Sequence, residues 1–245
     1  MSERDAERPA FYALRPGGWR DYWTLLHPPY TLWHLSYVAV GAALAPSLNG
    51  RWLAETLLAF FLAMGLAAHA LDELFDRPLQ TRISDGALKV IAGVGLAGAA
   101  ALGVDGAIEA TPWIWALIPV GVLLVVAYNL ELFGGVLHSD LWFALAWGGF
   151  PAFTAYVAQA GTVRVEALLA AAFCALVSAA QRALSTPVRQ LRREVERVSG
   201  TVRMTDGRER PLDAEALRAA PERALRLLSI AMPVLAAALI VARQT

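Results

Sequence analysis

Residues 68–84 read AHALDELFDRPLQTRIS, and they end a long apolar run with a dense group of charged side chains. The preceding residues, 53–68, are almost entirely apolar. On a helix, His69, Asp72 and Asp76 fall at positions i, i+3 and i+7, so an imidazole and two carboxylates share one face. Ionisable groups at membrane depth are costly and usually face a bundle interior or a watery cavity, which predicts a functional site. The alternative is an ordinary helix that ends in polar residues at the lipid headgroups.

The rest of the chain has the composition of a membrane protein. Of its 245 residues, 57% are hydrophobic and 17% are charged, and the mean hydropathy is +0.48. Seven stretches contain the roughly 20 apolar residues that a membrane-spanning helix needs. They are residues 29–48, 52–72, 86–104, 112–130, 140–160, 164–184 and 223–242. None alternates like a barrel strand, so the sequence predicts an all-α, polytopic transmembrane helical bundle of about seven spans.

The positive charges predict the orientation of this bundle. Seventeen of the 21 Lys and Arg residues lie in the N-terminal arm, in the loop after the second span and in residues 182–226, and Lys89 stands at the adjoining start of the third span. By the positive-inside rule these segments are cytoplasmic, and seven spans leave the C-terminus outside. The chain then divides into a cytoplasmic or interfacial arm, 1–28, and a transmembrane domain, 29–245, with a cytoplasmic loop over 185–222. We expect an integral protein of a bacterial or archaeal cell membrane, in contact with membrane lipids and without a nucleic-acid partner.

The long cytoplasmic loop carries three local predictions. Its first part, PVRQLRREVERVSG, is typical of a helix that ends at Gly200. Residues 204–211 contain Asp206-Gly207, which predicts a turn within a loop. A further short helix is predicted over residues 213–219, before the last span.

Three polar clusters flank the cytoplasmic ends of the spans, and they should converge if the spans form one bundle. The first comprises His69, Asp72, Glu73, Asp76, Arg77 and Arg82; the second Gln181, Arg182, Ser185, Arg189, Arg192, Arg193, Glu194 and Glu196; the third Tyr128, Asn129, Glu131, His138 and Asp140. Carboxylates suit a magnesium ion and guanidinium groups suit phosphate oxygens, so the combination indicates a lipid diphosphate as ligand. The alternative for the second cluster is a basic loop that contacts anionic lipid headgroups.

The first span carries a second polar stripe. His27, Tyr30, His34 and Tyr37 recur at i, i+3, i+7 and i+10. Two histidines could ligate haem or another metal, but no second helix offers a matching histidine at that depth. We therefore favour a hydrogen-bonded core histidine, or one that lines an acceptor pocket.

The motifs resemble those of the UbiA superfamily of intramembrane prenyltransferases, from about residue 19 to residue 243. The family's signature Asn-Asp-x-x-Asp-x-x-x-Asp falls on Ala68, His69, Asp72 and Asp76, so its last two aspartates match. The segment RDYWTLLHPPYTLWHLSYVAVGAALAP resembles the opening helix, with His27 where an arginine before proline is common.

Two further segments extend the resemblance. YNLELFGGVLHSDLWFALAWGGFPAFTAYVAQAG resembles the family's tyrosine-led loop and its glycine-rich fifth helix. REVERVSGTV resembles the frame of the second aspartate signature, but it offers only Glu194 and Glu196. The family usually has nine spans, two more than are predicted here.

The resemblance implies transfer of a polyprenyl group from a prenyl diphosphate to an aromatic or lipid acceptor, with Mg²⁺. Its catalytic residues would be Asp72, Asp76 and Tyr128. Its metal ligands would be Asp72, Asp76, Glu194 and Glu196. Its substrate-binding residues would be His69, Arg77, Arg82, Asn129, Arg182, Arg189 and Arg192. The altered aspartate motifs keep open a non-catalytic UbiA-like protein that binds an isoprenoid, quinone or pigment, or that serves as a subunit of a membrane complex. A small transporter is less favoured because the sequence shows no inverted repeat.

Overall fold

The structure is a computed structural model and describes residues 9–243. In this part of the chain a short helix, α1 (Trp19–Leu25), leads into seven longer helices. They are α2 (Pro28–Ala43), α3 (Gly50–Asp76), α4 (Asp85–Glu109), α5 (Ile114–Asn129), α6 (Asp140–Ala160), α7 (Val165–Arg193) and α8 (Ala214–Ala242). A one-turn 3-10 helix, Phe133–Gly135, follows α5. An antiparallel hairpin of β1 (Gly200–Arg203) and β2 (Glu209–Leu212) separates α7 from α8.

Each predicted span overlaps one of the helices α2 to α8. Among the described residues, α3, α4, α6, α7 and α8 are long and apolar enough to cross a membrane, and α5 is a shorter apolar helix. Large apolar side chains on these helices are exposed, including Val90, Val94, Leu169, Leu176, Ile230 and Val234. Such a surface is unfavourable in water but matches lipid. The chain is therefore a helical integral membrane protein, whereas the number of seven crossings stays a prediction.

Side-chain caps fix where several helices begin. Asn49, Ser84 and Asp213 stand at the N-caps of α3, α4 and α8. Each side-chain oxygen accepts a hydrogen bond from a backbone N–H two or three residues further on, at 2.7 to 3.3 Å. These bonds satisfy N–H groups that have no partner within the helix. At the C-terminal end of α6, Gly161 adopts the left-handed conformation (φ 68°) that commonly ends a helix.

Close backbone contacts at two glycines hold the bundle together. A Cβ atom on Gly41 of α2 would overlap the backbone carbonyl of Ala152 in α6. A Cβ atom on Gly148 of α6 would overlap the carbonyl of Cys174 in α7. Small residues permit this approach and are typical of helix interfaces in membranes. These contacts place α6 between α2 and α7.

Two buried carboxylates organise the loop between α3 and α4. Glu73 is fully buried and accepts hydrogen bonds from the backbone N–H of Leu79 (2.9 Å) and from both the N–H and the hydroxyl of Thr81 (2.8 Å each). Asp21 of α1 is also buried and accepts a hydrogen bond from the backbone N–H of Arg82 (3.2 Å). The loop is thereby fixed to the end of α3 and to the N-terminal arm.

The connection between the last two helices differs from the prediction. The helix predicted to continue to Gly200 ends at Arg193, and Gly200 begins β1. The turn at Asp206-Gly207 is confirmed, with Gly207 at φ 84°, but strands rather than irregular loop flank it. The predicted all-α fold class is confirmed, and this two-stranded hairpin is added to it.

The prediction of a separate short helix over residues 213–219 is wrong. α8 runs without interruption to Ala242 and includes Pro221. The reason is tertiary contact: Glu222 of α8 pairs with Arg192 of α7 at 2.5 Å, and both side chains are almost completely buried. This contact gives the first turns of α8 a packing partner on α7, which outweighs the local effect of the proline.

Candidate functional site

A cavity of about 420 Å³ lies where α2, α3, α5, α6 and α7 meet the N-terminal arm. Members of all three predicted clusters line it. Of the residues that the resemblance assigns to the site, the lining includes His69, Asp72, Asp76, Tyr128, Asn129, Arg182, Arg189 and Glu194. Residues separated by more than 100 positions in the sequence thus share one chamber.

Helix periodicity explains which side chains α7 contributes. Gln181, Ser185, Arg189 and Arg193 recur every four residues and therefore lie on one face. All four line the cavity. The face begins with a buried glutamine and ends with two arginines, so its positive charge increases towards the end of the helix.

Two π-helical stretches border the cavity. Phe61–Ala68 interrupts α3 immediately before His69, and Ala144–Gly149 interrupts α6. They contribute Met64 and Trp147 to the lining. A π-helical turn shifts the register of the side chains that follow, and such turns are frequent at functional sites.

Opposite charges face each other across the cavity without closing into ion pairs. Asp72 is half-buried on α3, and within residues 9–243 its carboxylate has no hydrogen bond and no cationic nitrogen within 4.0 Å. Arg189 and Arg193 lie close enough to act on it electrostatically. Arg182 instead pairs with Asp140 at 2.9 Å. The space between Asp72 and the two arginines can receive an anion, a cation or both.

Four predicted site residues lie outside the cavity lining. Arg77 donates to the carbonyl of Ile83 (2.6 Å) and pairs with Asp85, so its guanidinium stabilises the loop after α3. Arg192 is buried in its pair with Glu222. The two remaining residues, Arg82 and Glu196, are exposed.

The side chains available as metal ligands determine what kind of magnesium site is feasible. Within residues 9–243 no group of three or more His, Cys, Asp or Glu side chains is placed to hold a metal ion. Asp72 and Asp76 both line the cavity one turn apart, while Glu194 is exposed at its edge. Mg²⁺ commonly takes only one or two protein carboxylates and completes its shell with substrate phosphates and water. The residues fit a magnesium ion that arrives with a diphosphate, not one held by protein ligands alone.

The N-terminal arm adds aromatic residues that sequence analysis missed. Tyr12 packs against His27 and Tyr30, with ring centroids 5.3 and 5.5 Å apart, and Phe11 lies 6.1 Å from Tyr30. All four residues line the cavity. Burial raises the pKa of Tyr12 well above its ordinary value, so the ring remains a neutral phenol. The available signal was the adjacent aromatic pair Phe11-Tyr12, which lies between charged and small residues.

A second, apolar cavity of about 100 Å³ adjoins the first. It lies among α3, α4, α5 and α6, and its lining is almost wholly hydrophobic, including Ala63, Leu96, Leu117 and Val125. Met64 and Trp147 line both cavities and so mark where they meet. A polar chamber therefore adjoins an apolar one, an arrangement that matches a ligand with a charged head and a hydrocarbon tail.

The fold matches the apo structure of a UbiA homolog from Aeropyrum pernix K1 with a TM-score of 0.53, over 82% of this chain and 76% of that chain. The chain has a UbiA-like fold. The resemblance found in the sequence motifs is thus confirmed for the fold, although only 16% of the aligned residues are identical. No family model matches the sequence, and no curated protein matches it.

Proposed function

We propose that this protein transfers a polyprenyl group from a prenyl diphosphate to a hydrophobic acceptor within the membrane. One observation supports the proposal most: the chamber with Asp72 opposite Arg189 and Arg193 opens beside an apolar cavity. A prenyl diphosphate has this polarity, with up to three negative charges at one end and a hydrocarbon chain at the other. The UbiA-like fold agrees with this function.

The arginines of α7 would hold the diphosphate. Arg189 and Arg193 have no carboxylate within 4.0 Å among the described residues. Arg189 donates one hydrogen bond to the hydroxyl of Thr186 and Arg193 donates one to the carbonyl of Pro9, both at 3.4 Å, so their other N–H groups are available for phosphate oxygens. Asp72 and Asp76 would hold Mg²⁺ together with the diphosphate. The bound ion would supply Lewis-acid stabilisation of the leaving diphosphate. The hydroxyl of Tyr128 is buried without a hydrogen-bond partner in residues 9–243 and can donate to the same group.

Aromatic rings would stabilise the carbocation that forms as the diphosphate leaves. The Tyr128 ring lies 5.4 Å from Trp147 and 6.1 Å from Phe143, and all three line the polar cavity. The faces of aromatic rings attract cations, more strongly where water is excluded. These rings lie near the boundary between the two cavities, where the first carbon of the prenyl chain would sit.

The charge distribution supports a cytoplasmic entrance for the diphosphate. The polar cavity is lined by the arm and by the ends of α3, α5 and α7, next to the segments that carry most of the Lys and Arg residues. By the positive-inside rule this end of the bundle is cytoplasmic. Prenyl diphosphates would enter from that side.

The test is release of pyrophosphate from geranylgeranyl diphosphate by the protein in liposomes, with magnesium and a total membrane-lipid extract as the source of acceptor. We expect release that depends on the extract and is lost in Asp72→Asn. Asp206→Asn, in the exposed hairpin turn, is the matched control and should retain full release. Binding of the diphosphate without any release would favour the non-catalytic isoprenoid-binding alternative, and the absence of both would refute the proposal.

A further inference from the structure

All four histidines of the chain line the polar cavity. They are His27, His34, His69 and His138, and they come from the start of α2, the middle of α2, α3 and the loop before α6. The binding of a prenyl diphosphate as described above uses arginines, carboxylates and aromatic rings. The histidines therefore need a separate explanation.

Two of these histidines form a stacked pair. The rings of His27 and His69 are 4.1 Å apart and nearly parallel, with an interplanar angle of 15°. His27 adopts the left-handed backbone conformation (φ 46°), which is uncommon for a residue with a side chain and marks a position under strain. It lies at the junction between α1 and α2, directly before Pro28. The backbone is thus held in an unfavourable conformation that places one imidazole on the other.

Hydrogen bonds define which nitrogen of His69 remains available. Its Nδ1 lies 3.2 Å from the carbonyl oxygen of Gly65. A carbonyl only accepts hydrogen bonds, so Nδ1 carries the proton and Nε2 of the neutral ring is an acceptor. Among the described residues this Nε2 has no hydrogen-bond partner, and it is not a buried atom. It is therefore accessible from the cavity.

The neighbouring ring favours the neutral form of the pair. Burial, and after it the nearby His69, lowers the pKa of His27 well below its ordinary value. Two stacked imidazolium ions would repel each other, so at most one ring of the pair takes up a proton. A neutral His27 provides a π face on which a protonated His69 can rest.

We propose that His69 accepts the proton of the second substrate, an acceptor that carries an O–H group, and that His27 is the residue that positions it. This inference rests on the proposed prenyl transfer. The acceptor hydroxyl donates a hydrogen bond to Nε2 of His69, which directs the lone pairs of its oxygen towards the prenyl chain. The bond between the allylic carbon and the diphosphate oxygen breaks, and its electron pair leaves with the diphosphate. The hydroxyl oxygen forms the new bond to that carbon, and its proton passes to Nε2.

The positions of the two histidines agree with a specialised role. His69 stands where the UbiA-like signature has an aspartate, and His27 where an arginine is common. The two departures from the motif are in direct contact. His138 resembles His69 because its Nδ1 also faces a backbone carbonyl, that of Tyr128 at 3.0 Å, but its ring stacks on Tyr128 instead of on a second histidine. His138 is thus an internal comparison in the same cavity.

The experiment is nitrogen-15 NMR of the full chain in detergent, labelled only at histidine. Four imidazoles give a spectrum that His→Gln substitutions, one at a time, can assign. Phenol is the probe that carries an O–H group, and anisole is the control with the same ring and no proton to donate. We expect phenol to shift the Nε2 signal of His69 upfield, and anisole to leave it in place. In His27→Ala the phenol shift should be lost, and His27→Phe, which keeps a flat ring, should restore it.

Three results would overturn the inference. The first is no effect of phenol on the Nε2 signal of His69. The second is an equal shift of that signal by phenol and by anisole. The third is a response of His138 as strong as that of His69. Binding of farnesyl thiodiphosphate to the same unsubstituted sample, followed by phosphorus-31 NMR, tests the proposed function separately. Diphosphate binding without a phenol response at His69 would refute the proton-accepting role and leave prenyl transfer standing. A phenol response at His69 without diphosphate binding would refute prenyl transfer, and with it the role of His69 in that reaction.

Discussion

Two adjacent carboxylates, Asp72 and Glu73, have different roles. Glu73 stabilises the fold, whereas Asp72 lines the candidate site. Glu73 is fully buried and accepts three hydrogen bonds, two from Thr81 and one from Leu79. In Glu73→Gln one oxygen remains, and the amide NH2 replaces the other. If the oxygen keeps the Thr81 contacts, the NH2 group faces the N–H of Leu79, and these two buried donors have no acceptor between them.

The cost of this substitution follows from those contacts. An unsatisfied buried donor costs about 1–3 kcal/mol, and the remaining bonds lose the additional strength of a charged acceptor. We expect a total destabilisation of about 3 kcal/mol. For a chain of this length about 1 kcal/mol corresponds to roughly 2–4 °C, so the melting temperature should fall by about 6–12 °C. Asp72→Asn removes no hydrogen bond among the described residues and should change the melting temperature by less than about 2 °C.

Thermal unfolding in detergent, followed by the fluorescence of the eight tryptophans, measures both variants under identical conditions. The heating rate is kept constant because unfolding of membrane proteins in detergent is often irreversible. Unfolding of Glu73→Gln at the wild-type temperature would show that Glu73 does not stabilise the loop. Equal destabilisation of Asp72→Asn and Glu73→Gln would show that the free carboxylate of Asp72 has a structural role.

Three other substitutions test separate parts of the structure. Gly41→Val should destabilise the bundle by about 1–3 kcal/mol or more because its side chain overlaps the α6 backbone, and thermal unfolding with size-exclusion chromatography would show this. Arg192→Met should cost about 3 kcal/mol because the buried carboxylate of Glu222 then keeps, among the described residues, only the exposed Arg226 at 3.9 Å. The double substitution with Glu222→Met should recover most of that loss in the same unfolding assay. Arg189→Gln should weaken binding of farnesyl thiodiphosphate by about 10-fold or more, because a charge-assisted hydrogen bond is lost. Arg203→Gln, in the exposed hairpin, is the control and should bind like the wild type. Calorimetry measures both affinities.

Sequence reasoning predicted that distant polar clusters converge, and many of their residues do line one cavity, because charge is costly inside a membrane. Polar residues that interrupt apolar spans need water, partners or a ligand, so clusters at the ends of three spans were expected to meet. His69, Arg189 and Tyr128 do line one cavity. The seven helical segments followed from apolar length alone, since the bilayer sets the minimum length of a span.

The individual roles within each cluster depended on contacts that no local pattern contains. Asp72 and Glu73 are neighbours, but they point to different faces of α3, one into the cavity and one towards the backbone of the following loop. The family resemblance assigns Arg77 to the substrate, whereas in the structure its guanidinium donates to the carbonyl of Ile83 and pairs with the carboxylate of Asp85. The insertion of Tyr12 from the arm arises from packing between segments distant in the sequence.

In the function proposed here, the cavity between α3 and α7 binds a prenyl diphosphate through Asp72, arginines and magnesium. The most direct measurement is calorimetric binding of farnesyl thiodiphosphate to the purified protein in detergent, with magnesium chloride and with EDTA, for the wild type and Asp72→Asn. We expect binding that requires magnesium and that Asp72→Asn abolishes, because the ion has too few protein ligands without that carboxylate. No binding, or binding unaffected by both EDTA and Asp72→Asn, would show that this cavity is not a magnesium-dependent diphosphate site.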